Sequence, residues 1–148
     1  MKIKDIMTVG PANCTPETPL REVALLMINN DCGEIPVVND SAACIPIGVI
    51  TDRDIVCRTL AKGFNPLEMT AGDCMSSPIL SLKEEDSLDL CYKVMEENQI
   101  RRVPIVDASG KCIGIVSLAD VAQKVSMADS GEVLQGVSAS SMSASNVG

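Results

Sequence analysis

Apolar and polar positions follow two patterns along this chain, one typical of helices and one typical of strands. Within residues 20–28, apolar side chains recur at the spacing of an amphipathic helix. Two short apolar runs follow, at residues 35–38 and 47–50, and their lengths fit buried strands. A second helical stripe begins near residue 88, and further apolar runs lie at residues 103–106 and 112–116. The pattern predicts two similar units that mix helix and strand.

The two units are copies of one internal repeat. The sequence Ile-Pro-Val-Val at residues 35–38 returns as Val-Pro-Ile-Val at residues 103–106, 68 positions later. A stretch of the form Gly-x-x-Thr-x-x-Asp at residues 48–54 returns with Ser in place of Thr at residues 114–120, 66 positions later. Each copy is expected to run strand, helix, strand, strand, helix over about 55–60 residues, which is marginal for an isolated domain. We therefore expect the two copies to share one core.

Each Gly-x-x-Thr/Ser-x-x-Asp stretch predicts a buried strand that turns directly into a helix. Thr51 and Ser117 suit the N-cap position, and Asp54 and Asp120 follow three residues later as in a capping box. Capping alone is one explanation, because an N-cap contributes about 1 kcal/mol. A ligand site is the other: free amides at a helix start attract phosphate, and a carboxylate offers two acceptor oxygens to a ribose diol. The glycine before each turn would let a ligand approach the backbone.

Basic residues near the turns make the two copies unequal. Arg53 lies in the first turn and would add charge-assisted hydrogen bonds to a phosphate group, whereas the second turn has Ala119 at that position. Arg101 and Arg102 lie just before a strand of the second copy and are expected to reach a shared cleft. Surface charge is the alternative for all three arginines. The turn with Arg53 is thus the first choice for a phosphorylated ligand.

The composition argues against several classes of function. A net charge of −8 argues against general nucleic-acid binding, and two aromatic residues, Phe64 and Tyr92, provide no platform for base stacking. The chain has no histidine, the commonest general base, so we expect no enzymatic activity and no catalytic cofactor. The seven cysteines contain no C-x-x-C pair and are expected to be small buried side chains. A thiol-based redox regulator or a zinc site is the alternative for them.

The organisation along the chain follows from the repeat. No apolar run approaches the ~18 residues that span a membrane, and the first residues lack the apolar part of a secretory signal. We therefore expect a cytoplasmic protein without a membrane partner. A Ser- and Ala-rich composition after residue 136 predicts a flexible tail, preceded by a short helical turn at residues 131–135. The predicted divisions are a first repeat at 1–63, a linker at 64–72, a second repeat at 73–127, and the turn and tail at 128–148.

The paired motifs resemble a tandem pair of CBS domains, the cystathionine-β-synthase-type motif also called a Bateman module. The resemblance is carried by Met7 and Met75, by the two proline-containing strands, and by the two strand-to-helix turns, and it spans about residues 3–126. The layout is similar to small stand-alone bacterial or archaeal CBS-pair proteins. The resemblance implies an α/β (α+β) fold in which two βαββα repeats pack through their sheets with pseudo-twofold symmetry and leave two clefts.

The resemblance also implies a ligand, an assembly and a role. Clefts of that family commonly bind AMP, ADP or ATP, and in some members S-adenosylmethionine or NAD. Asp54 and Asp120 would then bind ribose hydroxyls, and Thr51 and Ser117 would contact phosphate. The residues that would flank the base are Ile35, Pro36, Val103 and Pro104.

The expected function is a regulatory sensor of adenosine nucleotides without chemistry of its own. Two CBS pairs commonly form a disc-like homodimer, and the ligand would signal by altering the packing of the repeats or of the dimer. An unidentified protein partner would detect that change. Two alternatives stay open: a ligand-independent dimeric scaffold protein and a thiol-based redox regulator.

Overall fold

The computed structural model describes residues 1–77 and 79–128 of the 148-residue chain. The predicted helical turn at 131–135 and the predicted tail lie outside the described residues. The strands are β1 (Thr8–Val9), β2 (Glu34–Val38), β3 (Pro46–Thr51), β4 (Leu82–Lys83), β5 (Arg102–Val106) and β6 (Cys112–Ser117). The α-helices are α1 (Leu20–Asn29), α2 (Asp52–Arg58), α3 (Ala71–Cys74), α4 (Leu88–Asn98) and α5 (Leu118–Ala128).

The strands of the described region form two sheets that correspond to the two copies. In the first copy β2 and β3 are antiparallel, and Cys14 extends the pair through a parallel bridge to Val37. In the second copy the strand order is β1-β6-β5-β4, with β5 antiparallel to β6 and parallel to β4. The mixed α/β fold with two repeats is therefore confirmed.

The segment that leads into each copy lies on the sheet of the other copy. β1 pairs with β6, so residues 8–9 join the sheet of the second copy. In return, Ser76 forms an antiparallel bridge with Val49 on β3, with both backbone hydrogen bonds between 2.8 and 3.0 Å. We call residues 3–9 and 71–77 the crossing segments. They tie the two copies together by backbone hydrogen bonds that no local pattern in the sequence predicts.

Both glycines that precede the strand-to-helix turns make room for the crossing segments. A Cβ atom on Gly114 would lie 2.7 Å from Sδ of Met7, and one on Gly48 would lie 2.8 Å from the carbonyl oxygen of Ser76 and 3.2 Å from Sδ of Met75. Gly48 is therefore explained by the close approach of the Ser76 backbone, and Gly114 by that of the Met7 side chain and the Thr8 carbonyl. The sequence-based argument that they admit a ligand is replaced by this observation.

Apolar side chains form two main cores, one per copy, in place of the single core expected from the sequence. The first core gathers side chains of α1, β2 and β3 and is closed by Ala71 and Cys74 of a crossing segment. The second gathers side chains of α4, α5, β5 and β6 and is closed by Ile3 of the other crossing segment. Each core is thus completed by the opposite copy, which explains how two short repeats reach adequate burial.

Candidate functional site

The first strand-to-helix turn is a complete capping box. Thr51 is the last residue of β3, and its Oγ1 accepts a hydrogen bond from the Asp54 amide at 3.0 Å. Oδ2 of Asp54 accepts a hydrogen bond from the Thr51 amide at 3.1 Å. The capping interpretation of these two residues is therefore confirmed. It occupies one carboxylate oxygen of Asp54 and leaves Oδ1 for other contacts.

The second turn repeats the hydroxyl half of this arrangement at the start of α5. Oγ of Ser117 accepts a hydrogen bond from the Asp120 amide at 3.1 Å. The amide of Leu118 donates to the carbonyl of Arg101 at 2.7 Å, just as the amide of Asp52 donates to the carbonyl of Gly33 at 3.0 Å in the first copy. The two turns therefore share the hydroxyl cap and this backbone bond, but an arginine in one copy corresponds to a glycine in the other.

Arg58 is a site residue that the sequence did not single out. Its guanidinium donates to the carbonyl oxygens of Cys74 and Met75 at 2.9 Å and to Oγ of Ser76 at 3.2 Å. It also lies 3.8 Å from Oδ1 of Asp54, whose side chain is 18% exposed. Arg58 thus connects the first turn to a crossing segment, and its spacing of four residues from Asp54 on α2 is the signal that would have found it.

The predicted arginines are placed differently from one another. Arg53 is exposed on α2. Arg102 begins β5, is half-buried, and pairs with Ser117 in the register of β5 and β6. Its charge also acts on Glu34 of the first copy. Arg102 is thus the predicted basic residue that the structure brings to the junction of the copies.

The residues predicted to flank a base are buried. Ile35 lies in the first core and Val103 in the second, and Pro36 and Pro104 are also buried. Each proline is the third residue of its strand. With their side chains packed inward, these segments offer mainly backbone groups to a ligand.

Glu34 is the second site residue that sequence reasoning missed. It begins β2, pairs with Thr51 in the register of β2 and β3, and its Oε2 is buried without a hydrogen-bond partner among the described residues. Burial raises the pKa of Glu34 to about 7; the Arg102 charge opposes this rise and the Asp54 charge adds to it. Alignment of the two copies would have shown an acid here at the position of Arg102.

The cysteines are mostly core residues. Five of them are buried, Cys32 is half-buried and Cys57 is exposed. Burial raises the pKa of Cys14 to about 12 and the pKa values of Cys91 and Cys112 to about 11, which disfavours reactive thiolates. Within residues 1–77 and 79–128, no group of three or more histidine, cysteine or acidic residues is arranged to hold a metal ion. No helix in the same ranges is both long and apolar enough to cross a membrane.

Comparison with protein families shows the family to which the chain belongs. A family model described as the CBS domain matches twice, at residues 3–58 and 71–126. The chain belongs to the CBS domain family. The two matches coincide with the two copies of the repeat, and they confirm the tandem CBS pair that the motifs resembled.

Relatives of this CBS pair differ in length. The chain is 36% identical over 137 residues to the CBS domain-containing protein YhcV of Bacillus subtilis, a match that covers 92% of this chain and 94% of that protein. It is 38% identical over 120 residues to an uncharacterized protein of Methanopyrus kandleri, where the match covers 81% of this chain and 58% of that protein. The repeat pair is therefore shared with proteins of similar and of greater length.

Solved structures share the fold of this CBS pair. The crystal structure of Hypoxic Response Protein I with two coordinated zinc ions superposes with a TM-score of 0.74 at 34% identity, covering 83% of this chain and 98% of that chain. The CBS domain pair of protein MJ0100, solved with 5′-methylthioadenosine and S-adenosylmethionine, gives a TM-score of 0.75 at 23% identity, with coverages of 87% and 98%. CBSX2 in complex with AMP gives 0.72 at 22% identity, with coverages of 85% and 97%.

Proposed function

We propose that this CBS pair is a non-catalytic regulatory module that binds an adenosine-containing ligand where the first strand-to-helix turn meets the second repeat. The observation that carries the proposal is the convergence there of Glu34, Thr51 and Asp54 from one copy with Arg102 from the other. A buried carboxylate oxygen without a donor is costly unless a binding partner supplies one. The complexes of MJ0100 and CBSX2 with adenosine compounds support the same class of ligand.

Each candidate residue has a role in this proposal. Oδ1 of Asp54 accepts hydrogen bonds from ribose hydroxyls, because Oδ2 is held by the capping box. The exposed Arg53 and the half-buried Arg102 provide positive charge for anionic parts of a ligand. Ser117 and Asp120 form the corresponding pair at the second strand-to-helix turn, beside Arg101. The base is held by backbone groups near Ile35, Pro36, Val103 and Pro104.

The regulatory mechanism follows from the position of the ligand. A ligand that contacts both copies stabilises one relative packing of the repeats over another, in proportion to its difference in affinity for the two. Arg58 links the first turn to the crossing segment of the second copy, so it provides a direct mechanical connection. An unidentified protein partner detects the preferred packing.

The test is calorimetric titration of the intact protein with AMP, ADP, ATP, S-adenosylmethionine and NAD. In Asp54→Asn and Asp120→Asn variants, each substitution is expected to weaken one of two binding events by about tenfold, because an amide accepts ribose hydroxyls less well than a carboxylate. Asparagine at position 54 keeps an oxygen that accepts from the Thr51 amide, and the Ser117 cap does not use the side chain of Asp120, so both helix starts are preserved. Unchanged affinity in both variants would refute the ribose assignment.

A homodimer is the assembly that the exposed apolar residues support. Val56, Leu60, Phe64 and Leu67 follow one another along and after α2, and each is more than half exposed. Exposed apolar residues grouped in this way mark interaction sites. We therefore place a dimer interface on this part of the first copy.

A Leu60→Asp variant is expected to convert the dimer to a monomer, because it buries an unpaired charge in the interface. Light scattering coupled to size-exclusion chromatography measures the mass directly. Ile28→Asp is the matched control, since Ile28 is 74% exposed on α1 and its variant is expected to remain dimeric. A dimer that survives Leu60→Asp and dissociates with Ile28→Asp would place the interface on α1 and contradict this assignment.

A further inference from the structure

Corresponding positions of the two repeats carry opposite charges at their junction. Glu34 is the first residue of β2 and pairs with Thr51, while Arg102 is the first residue of β5 and pairs with Ser117. Both precede the apolar residue and proline that begin the buried part of the strand. The two side chains therefore occupy equivalent places relative to the two strand-to-helix turns. The first turn has an acid beside it and the second has a base.

Further acidic groups surround the first turn. The side chain of Asp52 lies over Gly33, where an added Cβ would be 2.9 Å from Oδ2, and Asp54 closes the capping box. With Glu34, three carboxyl groups thus lie at or beside this turn. Arg53 and Arg58 on the helix and Arg102 from the other copy are the basic groups opposed to them. At the second turn, Asp120 is accompanied by Arg101 and Arg102. Of the three acids at the first turn, only Asp54 has an acidic counterpart, Asp120, at the second.

Glu34 has an unmet capacity for a hydrogen bond. Its Oε2 is buried and accepts no hydrogen bond from any described residue, and no ion pair joins Glu34 to Arg102 although the positive charge acts on it. Buried carboxylate oxygens are normally hydrogen-bonded. The missing donor is best supplied by a ligand that binds beside Thr51.

We propose that Glu34 determines the ligand class at the first strand-to-helix turn by accepting a hydrogen bond from a positively charged group of an adenosine derivative. It disfavours a phosphate group in contact with its Oε2, while Arg53 and Arg102 are left for an anionic group elsewhere on the ligand, such as a carboxylate. This inference rests on the proposed function of the same cleft. It also differs from the sequence-based expectation that the turn with Arg53 takes the phosphorylated ligand. S-adenosylmethionine, with its ammonium and sulfonium groups, is the cationic probe, and AMP is the anionic probe.

The charge of the ligand should determine whether the protein releases or takes up protons when the ligand binds. Because burial raises the pKa of Glu34 to about 7, its neutral and ionised forms are both present near neutral pH. The charged groups that act on it are Arg102 from β5 and Asp54 from α2. A cationic group placed against Oε2 favours the ionised form, so binding of S-adenosylmethionine releases protons. An anionic group placed there would instead take protons up.

The experiment is calorimetric titration of the full chain with each probe at pH 7 in buffers of different ionisation enthalpy. Glu34→Gln is isosteric and removes the charge, and Glu17→Gln is the control because it makes the same change at an exposed position. We expect Glu34→Gln to weaken binding of S-adenosylmethionine by about tenfold or more, to abolish proton release, and to leave or improve binding of AMP. Glu17→Gln should behave as the wild type.

The outcomes separate this inference from the function on which it rests. Suppose that an adenosine compound binds, but that Glu34→Gln changes neither the ratio of the affinities for S-adenosylmethionine and AMP nor the proton release. This result overturns the role of Glu34 and leaves the proposed function standing. Failure of the wild-type protein to bind either probe, or any of the other three nucleotides, overturns both.

Discussion

The Gly48→Ala variant is expected to lose about 2 kcal/mol of unfolding free energy, within the range measured for overpacked sites. The added Cβ would lie 2.8 Å from the carbonyl oxygen of Ser76 and 3.2 Å from Sδ of Met75. The Ser76 carbonyl cannot simply move, because it accepts the hydrogen bond from the Val49 amide that holds the crossing segment on β3. The steric conflict therefore falls on the connection between the repeats. Urea denaturation followed by circular dichroism measures the loss.

Gly114→Ala is the matched control for this prediction. There the nearest atom is Sδ of Met7, at 2.7 Å, on a flexible side chain, with the backbone oxygen of Thr8 at 3.1 Å. We expect a smaller loss than at Gly48, and we expect Met7→Ala to relieve part of it in a double-mutant cycle. A Gly48→Ala protein as stable as the wild type would show that the crossing segment does not pack over Gly48.

Glu34 should also lower the unfolding free energy of the protein by an amount that depends on pH. The pKa of this carboxyl is about 7 in the folded state against an ordinary value of 4.5, so the folded state holds its proton over a pH range in which the unfolded state has lost it. The cost is absent below about pH 4.5, grows as the pH rises, and is complete above about pH 7. A shift of this size corresponds to about 3 kcal/mol.

The Glu34→Gln variant isolates this contribution. Its unfolding free energy should exceed that of the wild type by an amount that grows between pH 4.5 and 7 and reaches up to about 3 kcal/mol. Other titrating groups contribute equally to both proteins, so their contributions cancel when the variant is compared with the wild type at each pH. One such group is Glu85, which has the opposite trend because hydrogen bonds from Lys2 and Lys4 lower its pKa to about 2. Glu17→Gln should show no such growth. A difference that is constant with pH would contradict the buried, unpartnered state of Glu34.

The repeat and its elements could be predicted from the sequence because their signals are local. The short apolar runs predict β2, β3, β5 and β6 to within a residue or two at each end, and the Thr-x-x-Asp and Ser-x-x-Asp spacings predict the starts of α2 and α5. Duplication of these signals was enough to indicate the family. The mixture of helix and strand in two repeats therefore follows from the pattern, and the resemblance to the family adds how the repeats pack.

The crossing segments could not be predicted in this way. Met7 and Met75 are recognisable as repeated residues, but their contacts with Gly114 and Gly48 join parts of the chain that are distant in sequence. A glycine before a turn has the same local pattern whether it admits a ligand or a neighbouring backbone. Packing between the repeats, which sequence periodicity does not encode, decides between the two.

The candidate site was partly visible in the sequence. Thr51 and Asp54 were found because capping chemistry has a fixed spacing, and Arg102 because a charge before an apolar strand stands out. Glu34 has no local signature of its own, since its importance depends on burial and on the charges of Arg102 and Asp54 in the folded protein. Such a group can be found by aligning the two repeats, because Glu34 and Arg102 then place opposite charges at equivalent positions.

Native mass spectrometry of the intact protein, with and without added adenosine compounds, tests the central proposal most directly. The proposal predicts a dimer that carries or gains the mass of an adenosine compound, with Asp54→Asn reducing the occupancy at equal ligand concentration. A protein that is purified free of ligand and gains no mass from AMP, ADP, ATP, S-adenosylmethionine or NAD at about 1 mM, where even weak sites of this kind would fill, would contradict it.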